Sequence, residues 1–90
     1  MSEMNRIELY AQQMTDRAAC HDHLAEAFGF PQWYGRNLDA LYDLLTQIDT
    51  PTIIRLNHCQ LLEGYSKRLL KVLAQATARN PYLWFVPFYG

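Results

Sequence analysis

Alternating apolar and polar positions predict three short strands. Residues 6–10 alternate in this way, with Ile7 and Leu9 on one face. The isoleucine-rich run at residues 52–56 predicts a second strand, which is buried. Residues 83–86, Leu-Trp-Phe-Val, predict a third strand, and the proline that follows restricts how far this strand can pair.

The interval between the first two strands contains two predicted helices. Residues 16–28 have a moderately apolar face, and Gly29 is typical of a helix end. Thr15 is the predicted N-cap of this helix. A second helix begins at Leu38, because Asn37 is well placed to accept hydrogen bonds from amides of the first turn.

The interval between the second and third strands predicts a short and a long helix. Residues 57–63 predict one short helical turn, with Gly64 as its end. Residues 66–79 show the helical spacing of apolar positions, and Asn80 and Pro81 end this helix. The predicted order of elements is therefore β, α, α, β, α, α, β.

This order predicts an α/β fold in a single domain over residues 1–90. Strands that are separated by helices pair in parallel through right-handed crossovers. We therefore expect a small three-stranded parallel sheet packed with about four helices. A chain of 90 residues, 50% of them apolar, is long enough for one modest core.

Composition argues against several classes of function. A formal net charge of −1 at pH 7 gives no overall attraction to nucleic acid or to an anionic membrane. No run approaches the ~20 apolar residues of a membrane span, and the N-terminus lacks the apolar core of a signal peptide. We expect a cytoplasmic protein that acts through local patches of charge.

Cysteine and histidine residues lead us to expect neither a metal nor a cofactor. The low cysteine count, Cys20 and Cys59, favours reduced thiols. Residues 20–23, Cys-His-Asp-His, are rich in ligand types, but consecutive helical residues point in different directions. Only Cys20 and His23 can share a face, so a four-ligand site would need distant residues such as His58.

Residues 33–43 carry the most distinctive chemistry of the chain. An aromatic pair and a glycine lead into a helix with two carboxylates four residues apart, Asp39 and Asp43. The apolar residues of this helix cluster on one side: Leu38, Leu41, Leu45 and Ile48. At ~100° per residue, Asp43 points almost opposite this stripe and Asp39 lies on the same outer half. The helix dipole explains Asp39 in the first turn, but not Asp43.

Aromatic residues flank these acids and favour a binding surface. Trp33 and Tyr34 precede the helix, where Gly35 fits a turn or a close backbone approach, and Tyr42 lies at the margin between the leucines and the acids. Rings beside exposed carboxylates are typical of protein interfaces. A solvated helix without a partner explains the pattern equally well at this point. We expect Trp33 to be partly exposed.

Residues 34–43, Tyr-Gly-Arg-Asn-Leu-Asp-Ala-Leu-Tyr-Asp, resemble the signature of the barstar family, small intracellular inhibitors of bacterial ribonucleases. The family pattern is an aromatic pair, Gly, any residue, Asn-Leu-Asp-Ala-Leu, an aromatic residue and Asp. The match is contiguous. The resemblance implies a three-stranded parallel α/β fold with four helices, in agreement with the predicted order of elements.

The resemblance also implies a function and a set of contact residues. In the family, the acidic helix and the preceding loop plug the active site of a ribonuclease. Asp43 would take the place of a substrate phosphate, and Asp39 would support it. The implied partner-binding residues are Trp33, Tyr34, Gly35, Asn37, Asp39, Tyr42, Asp43 and Thr46. The expected partner is a bacterial ribonuclease, with no nucleic acid or membrane bound directly, and the free protein is expected to be a monomer.

Several positions depart from the family's acidic surface. Where family members carry further acids on the last helix, this chain has Gln75 and Arg79, and Arg36 lies inside the signature. Basic residues also lie nearby on the last helix: Lys67, Arg68 and Lys71. A strongly basic partner would be attracted less effectively. Either the partner is less basic, or it carries acids that meet this helix.

The alternatives to a ribonuclease inhibitor are catalysis, RNA binding and a different protein target. Catalysis by Asp39 and Asp43, or by the histidines, is disfavoured because exposed carboxylates at a helix start lack the desolvation that tunes catalytic groups. Stacking of RNA bases on Trp33 and Tyr34 is disfavoured because the adjacent acids repel a phosphate backbone. An immunity or regulatory protein for a toxin that is not a ribonuclease, or for another protein partner, stays open.

Overall fold

A computed structural model describes residues 4–90 of the chain. Three strands and three α-helices follow in the order β1 (Asn5–Tyr10), α1 (Arg17–Phe28), α2 (Leu38–Thr46), β2 (Thr52–Asn57), α3 (Tyr65–Arg79) and β3 (Leu83–Pro87). Single 3-10 turns follow β1 (Ala11–Gln13) and β2 (Cys59–Leu61). No helix of the described residues is long and apolar enough to cross a membrane. The predicted strands and the three α-helices are confirmed, and the predicted bounds differ from the observed ones by at most one residue.

The three strands form one parallel sheet in the order β1-β2-β3. Ile7 of β1 pairs with Ile54 of the central strand, which pairs with Phe85 of β3. Pro87 lies at the end of an edge strand, where its missing N–H leaves no ladder bond unmade. The predicted three-stranded parallel α/β fold is confirmed.

One face of the sheet is buried against the helices. Alternate strand residues supply this side of the core, because successive side chains of a strand point to opposite faces. The fully buried aliphatic residues come from the sheet and from all three helices: Leu9, Leu24, Leu41, Leu45, Ile54, Leu56, Leu69 and Leu73. The opposite face carries Arg6, Glu8 and Arg55, which are exposed. Leu41 and Leu45 are buried in this core, so α2 packs into it with the face opposite its acids.

The start of α1 differs from the prediction. Asp16, not Thr15, is the N-cap, and its Oδ1 accepts a hydrogen bond from the N–H of Ala19 at 2.8 Å. The capping side chain accepts from the amide three residues later, and Ala19 is three residues after Asp16 but four after Thr15. The end of the helix is as predicted, because Gly29 adopts the left-handed conformation with φ of 68°.

The short helix expected before α3 is only one 3-10 turn, Cys59–Leu61. His58 is left-handed, with φ of 61°, and Leu62 is extended, so helical backbone cannot continue in either direction. Gly64 was expected to end this helix, but it is the N-cap position of α3 and has φ of 59°. Glycine suits this position because the conformation is costly for other residues.

Two asparagines anchor the ends of α2. The Asn37 Oδ1 accepts a hydrogen bond from the N–H of Ala40 at 2.7 Å, which confirms the predicted N-cap. At the other end, the buried Asn80 side chain donates to the carbonyls of Leu45 and Ile48, each at 2.9 Å. This second contact joins α2 to the connection between α3 and β3, so the helix is held at both ends.

Candidate functional site

The loop before α2 turns its two aromatic rings in opposite directions. The N–H of Tyr34 donates to the carbonyl of Pro31 at 3.0 Å and closes a turn. Trp33 is 74% exposed, more than the partial exposure that the sequence predicts, whereas Tyr34 is only 5% exposed. The Tyr34 ring packs on Phe30, with ring centroids 4.8 Å apart. Trp33 therefore supplies contact area to solvent, and Tyr34 anchors the loop.

A buried histidine fixes the position of Tyr34. The His21 Nδ1 lies 2.6 Å from the Tyr34 hydroxyl, and its Nε2 lies 2.7 Å from the Tyr65 hydroxyl. Burial, followed by the nearby charges of Arg17 and Arg36, lowers the pKa of His21, and burial raises the pKa of Tyr34. A neutral imidazole bridges two phenols by donating from one nitrogen and accepting at the other. The bridge ties α1, the loop and α3 together.

The backbone at Gly35 and Arg36 is closely constrained. A Cβ at Gly35 would lie 3.2 Å from the Ala40 Cβ and 3.2 Å from the Asn37 Nδ2, so a side chain would be crowded at this position, as the sequence predicts. Arg36 is left-handed, with φ of 53°, and its guanidinium pairs with the carboxylate of Asp22 on α1. The positive charge inside the signature thus has a partner on α1.

The outer face of α2 carries the two acids. Asp39 and Asp43 are both exposed, and neither forms an ion pair with any residue of the described range 4–90. Tyr42 is half-buried and packs against the core. The Thr46 hydroxyl donates to the carbonyls of Tyr42 and Asp43, each at 3.0 Å, which leaves its oxygen lone pairs available to an outside donor.

The two acids open onto different hollows. Asp43 borders a hollow of about 250 Å³ and is the only charged residue in its lining. The uncharged residues that line this hollow are Trp33, Tyr34, Gly35, Ala40, Leu44 and Gln47. Asp39 borders a larger groove of about 460 Å³ that also contains Arg17 and Arg68. Asp43 is thus a carboxylate in a neutral setting, whereas Asp39 shares its surroundings with two cations.

The structure brings most of the predicted contact residues onto one side of the molecule. Trp33, Gly35 and Asp43 meet at the smaller hollow, although Trp33 and Asp43 are ten positions apart in the chain. Asn37 and Asp39 border the larger groove. On α2, Tyr42 lies between the two acids in sequence, and Thr46 follows Asp43. Tyr34 is buried beneath the surface. These residues, with Tyr34 as their support, form the candidate recognition surface.

Sequence reasoning noted Arg68 among the basic residues of the last helix but missed its convergence with Arg17 and Tyr65. Arg17 and Tyr65 are the first residues of α1 and α3, and they line the larger groove together with Asp39. A signal was present, because helices that follow parallel strands begin at the carboxyl edge of the sheet. The rule brings together residues near the starts of α1 and α3, each of which is the first α-helix after a strand, but it says nothing about the start of α2.

The residue types that suggested a metal are occupied in other ways. His21 bridges two phenols, Asp22 pairs with Arg36, and the His23 Nε2 accepts a hydrogen bond from the N–H of Tyr10 at 2.9 Å. Cys20 is a buried free thiol whose pKa is raised by burial. Within residues 4–90, no three such side chains come together in a way that could hold a metal ion.

The fold and the surface define a small parallel α/β domain that presents acids and aromatic rings from one helix and its preceding loop. The family model described as Barstar (barnase inhibitor) matches residues 4–84. A Bacillus subtilis (strain 168) protein named "Putative ribonuclease inhibitor YrdF" is 33% identical over 78 residues, which cover 81% of this chain and 86% of that protein. The chain belongs to the barstar family.

Family membership confirms the resemblance drawn from residues 34–43. The matched region contains the whole loop, α2 and most of the sheet. The family consists of inhibitors rather than enzymes, and membership supports a role similar to that of a ribonuclease inhibitor.

Proposed function

We propose that this protein binds a ribonuclease and occludes its active site with α2 and the loop before it. The carboxylate of Asp43 stands where a substrate phosphate would bind. The observation that carries this proposal is the setting of Asp43, which is exposed, lacks an ion pair within residues 4–90, and is the only charged group at a hollow bordered by Trp33 and Gly35.

The chemistry of the proposed partner favours this role. An enzyme that cleaves RNA concentrates Arg, Lys and His side chains around the scissile phosphate. A carboxylate accepts charge-assisted hydrogen bonds from such groups, and an Arg can engage both of its oxygens. Because α2 is capped by Asn37 and held at its far end by Asn80, little conformational freedom is lost when Asp43 is bound.

Asp39 has a supporting part in the proposed contact. It lies in the first turn of α2, where the positive end of the helix dipole already favours a carboxylate. It also borders the groove that contains Arg17 and Arg68. Both features offset its negative charge more than that of Asp43, so we assign the larger share of the recognition to Asp43.

The remaining residues shape the contact. Trp33 is a rigid exposed ring that can fill a cleft in the partner, and Gly35 allows the partner's surface to approach the backbone. Asn37, Tyr42 and Thr46 extend the contact along α2. Tyr34 acts indirectly, since its buried hydroxyl holds the loop through His21.

The partner is proposed to be a bacterial ribonuclease inside the cytoplasm, where the inhibitor protects cellular RNA as an immunity protein. The free inhibitor is a monomer in this proposal and has no catalytic activity of its own. It does not bind RNA directly, because Asp39 and Asp43 would repel the phosphate backbone.

The test is to recover the partner and to measure what the protein does to it. Tagged protein is used to capture its partner from a lysate of the source organism, and cleavage of RNA by the purified partner is then followed with and without this protein. We expect stoichiometric loss of cleavage. A partner that is a toxin without ribonuclease activity would favour the alternative immunity function instead, and turnover of RNA by this protein alone would contradict both.

A further inference from the structure

A groove of about 460 Å³ lies where all three helices begin. Arg17, Leu38 and Tyr65 are the first residues of α1, α2 and α3, and all of them line it. Asn37, Asp39, Arg68 and Val72 complete the lining. We call this feature the Arg17–Arg68 groove. The phosphate-mimic proposal uses Asp39 at its edge but gives no role to its two arginines.

The two arginines are held in place without a carboxylate. Their guanidinium carbons lie 5.6 Å (Arg17) and 5.8 Å (Arg68) from the centre of the Tyr65 ring. The Tyr65 hydroxyl is in turn hydrogen-bonded to His21, so the ring that both cations contact is fixed. Among residues 4–90, the ion pairs are Arg36 with Asp22 and Arg55 with Glu8, and neither groove arginine takes part in one.

The position of these arginines is unfavourable for the isolated chain. Both lie in the first turns of helices, where the positive end of the helix dipole disfavours a cation. The first turns of α1 and α3 contain no acidic residue, and the one carboxylate at their two N-cap positions is Asp16 of α1, which is hydrogen-bonded to the N–H of Ala19. Asp39 is the only carboxylate in the lining, so the groove has an excess of positive charge. An external carboxylate would relieve this excess.

We propose that the Arg17–Arg68 groove receives an aspartate or glutamate side chain of the same protein partner that docks on α2. This inference rests on the proposed function only in placing the partner on α2. Asn37 and Asp39 belong to both surfaces, so a partner seated on α2 reaches the groove without a gap. Acids of α2 meet cations of the partner, and the two arginines meet an acid.

The occupant is a protein carboxylate and not RNA. Asp39 lies in the groove and Asp43 lies one helical turn away, so a polyanion would be repelled along its length. A single carboxylate can accept paired hydrogen bonds from a guanidinium, while a neighbouring cation on the same partner pairs with Asp39. The mixed pattern also selects the partner, because a uniformly basic surface would meet Arg17 and Arg68 with repulsion.

Charge-reversal variants of the groove arginines test whether an acid of the partner docks there. The dissociation constant of the captured partner is measured by calorimetry for the wild type, Arg17→Glu, Arg68→Glu and the control Arg6→Glu, an equal charge change on the exposed face of the sheet. If an acid docks in the groove, both groove reversals raise the dissociation constant at least about tenfold, whereas Arg6→Glu changes it less than about twofold. An unchanged or lower dissociation constant for the groove variants would overturn the proposal.

Two measurements distinguish a loss of binding from a loss of folding. Glutamate is favoured near a helix N-terminus, so both reversals should keep the urea midpoint of the wild type. Arg68→Gln, which removes the charge without reversing it, should weaken binding by a smaller factor than Arg68→Glu. A groove variant that keeps its urea midpoint and binds the partner as tightly as the wild type does contradicts the groove assignment.

The failure of this inference is distinguishable from that of the proposed function. If the partner does not cleave RNA, the proposed function fails, but the charge reversals still test the groove on the same complex. If Asp43→Ala binds normally while Arg68→Glu does not, the phosphate-mimic role fails alone. A salt-sensitive RNA shift by the wild type that Arg68→Glu abolishes would overturn the groove proposal in favour of RNA. Failure to capture any protein would contradict both proposals.

Discussion

At the scale of single residues, His21 shows how one buried side chain fixes the position of an aromatic ring in the loop before α2. The sequence places His21 in a cluster of metal-ligand types, whereas the structure uses it to hold Tyr34 and Tyr65. Tyr34 is directed inward, and Trp33, the residue before it in the loop, is exposed. The sequence predicts an aromatic pair at this position, but which ring is buried depends on hydrogen-bond partners on α1 and α3, far along the chain.

Removal of the Tyr34 hydroxyl should destabilise the fold. Tyr34→Phe leaves a buried nitrogen of His21 without its partner, and the cost is about 1–3 kcal/mol in the free energy of unfolding. Urea denaturation measures this difference. The control is Tyr89→Phe, because Tyr89 is 61% exposed, and its effect should stay within about 0.5 kcal/mol. Equal stabilities of the two variants would contradict the bridging role of His21.

The stability of the protein should fall in mild acid because of two histidines. Burial lowers the pKa of His21, with further contributions from Arg17 and Arg36, and burial also lowers the pKa of His23. The unfolded chain therefore takes up protons at a higher pH than the folded chain does. The stabilisation is complete above the unfolded value of about 6.5 and is lost as the pH falls through the lower folded values.

Urea midpoints at about pH 7.5 and about pH 5.5, on either side of the unfolded histidine pKa, test this expectation. The midpoint should be lower at the acidic pH for the wild type. In the variant that combines His21→Gln with His23→Gln, the difference should shrink. A wild-type midpoint that is the same at both pH values would show that neither histidine is kept neutral by the fold.

At the scale of elements, α2 is positioned by one local and one distant interaction. The N-cap Asn37 was predictable, because capping depends on residues within the first turn. The contact of Asn80 with the last carbonyls of α2 was not, because it joins positions 32 and 35 residues apart and Asn80 reads only as a helix terminator. The error at the start of α1 is local instead, because Thr15 and Asp16 are adjacent and both are favoured N-cap residues.

Loss of the α2 cap should destabilise the element that carries both acids. Asn37→Ala removes the acceptor for the N–H of Ala40 and should cost about 1 kcal/mol, within a range of about 0.5–2 kcal/mol. Asn37→Asp keeps an acceptor and should recover most of this loss in a thermal or urea melt. An aspartate variant as unstable as the alanine variant would show that the cap does not account for the effect.

At the scale of the whole molecule, charge distribution matters more than net charge. The parallel topology and the outward acids follow from strand and helix periodicity, so the sequence predicts the fold class and the acidic side of the surface. The basic groove escaped prediction because Arg17, Asp39 and Arg68 meet only when three helix starts converge. A formal net charge of −1 therefore conceals an acidic face and a basic groove side by side. Under the proposed function, this arrangement would select the partner.

The most direct test of the inhibitor account compares Asp43→Ala with Glu26→Ala in an assay of RNA cleavage by the captured ribonuclease. Both changes remove one exposed helical carboxylate, but Glu26 lies on α1 outside the recognition surface. Asp43→Ala should cost at least about 2 kcal/mol of binding free energy, which raises the inhibition constant about thirtyfold, because cations of the partner are left unpaired. Glu26→Ala should leave inhibition unchanged. Full inhibition by Asp43→Ala, at the potency of the wild type, would contradict the account.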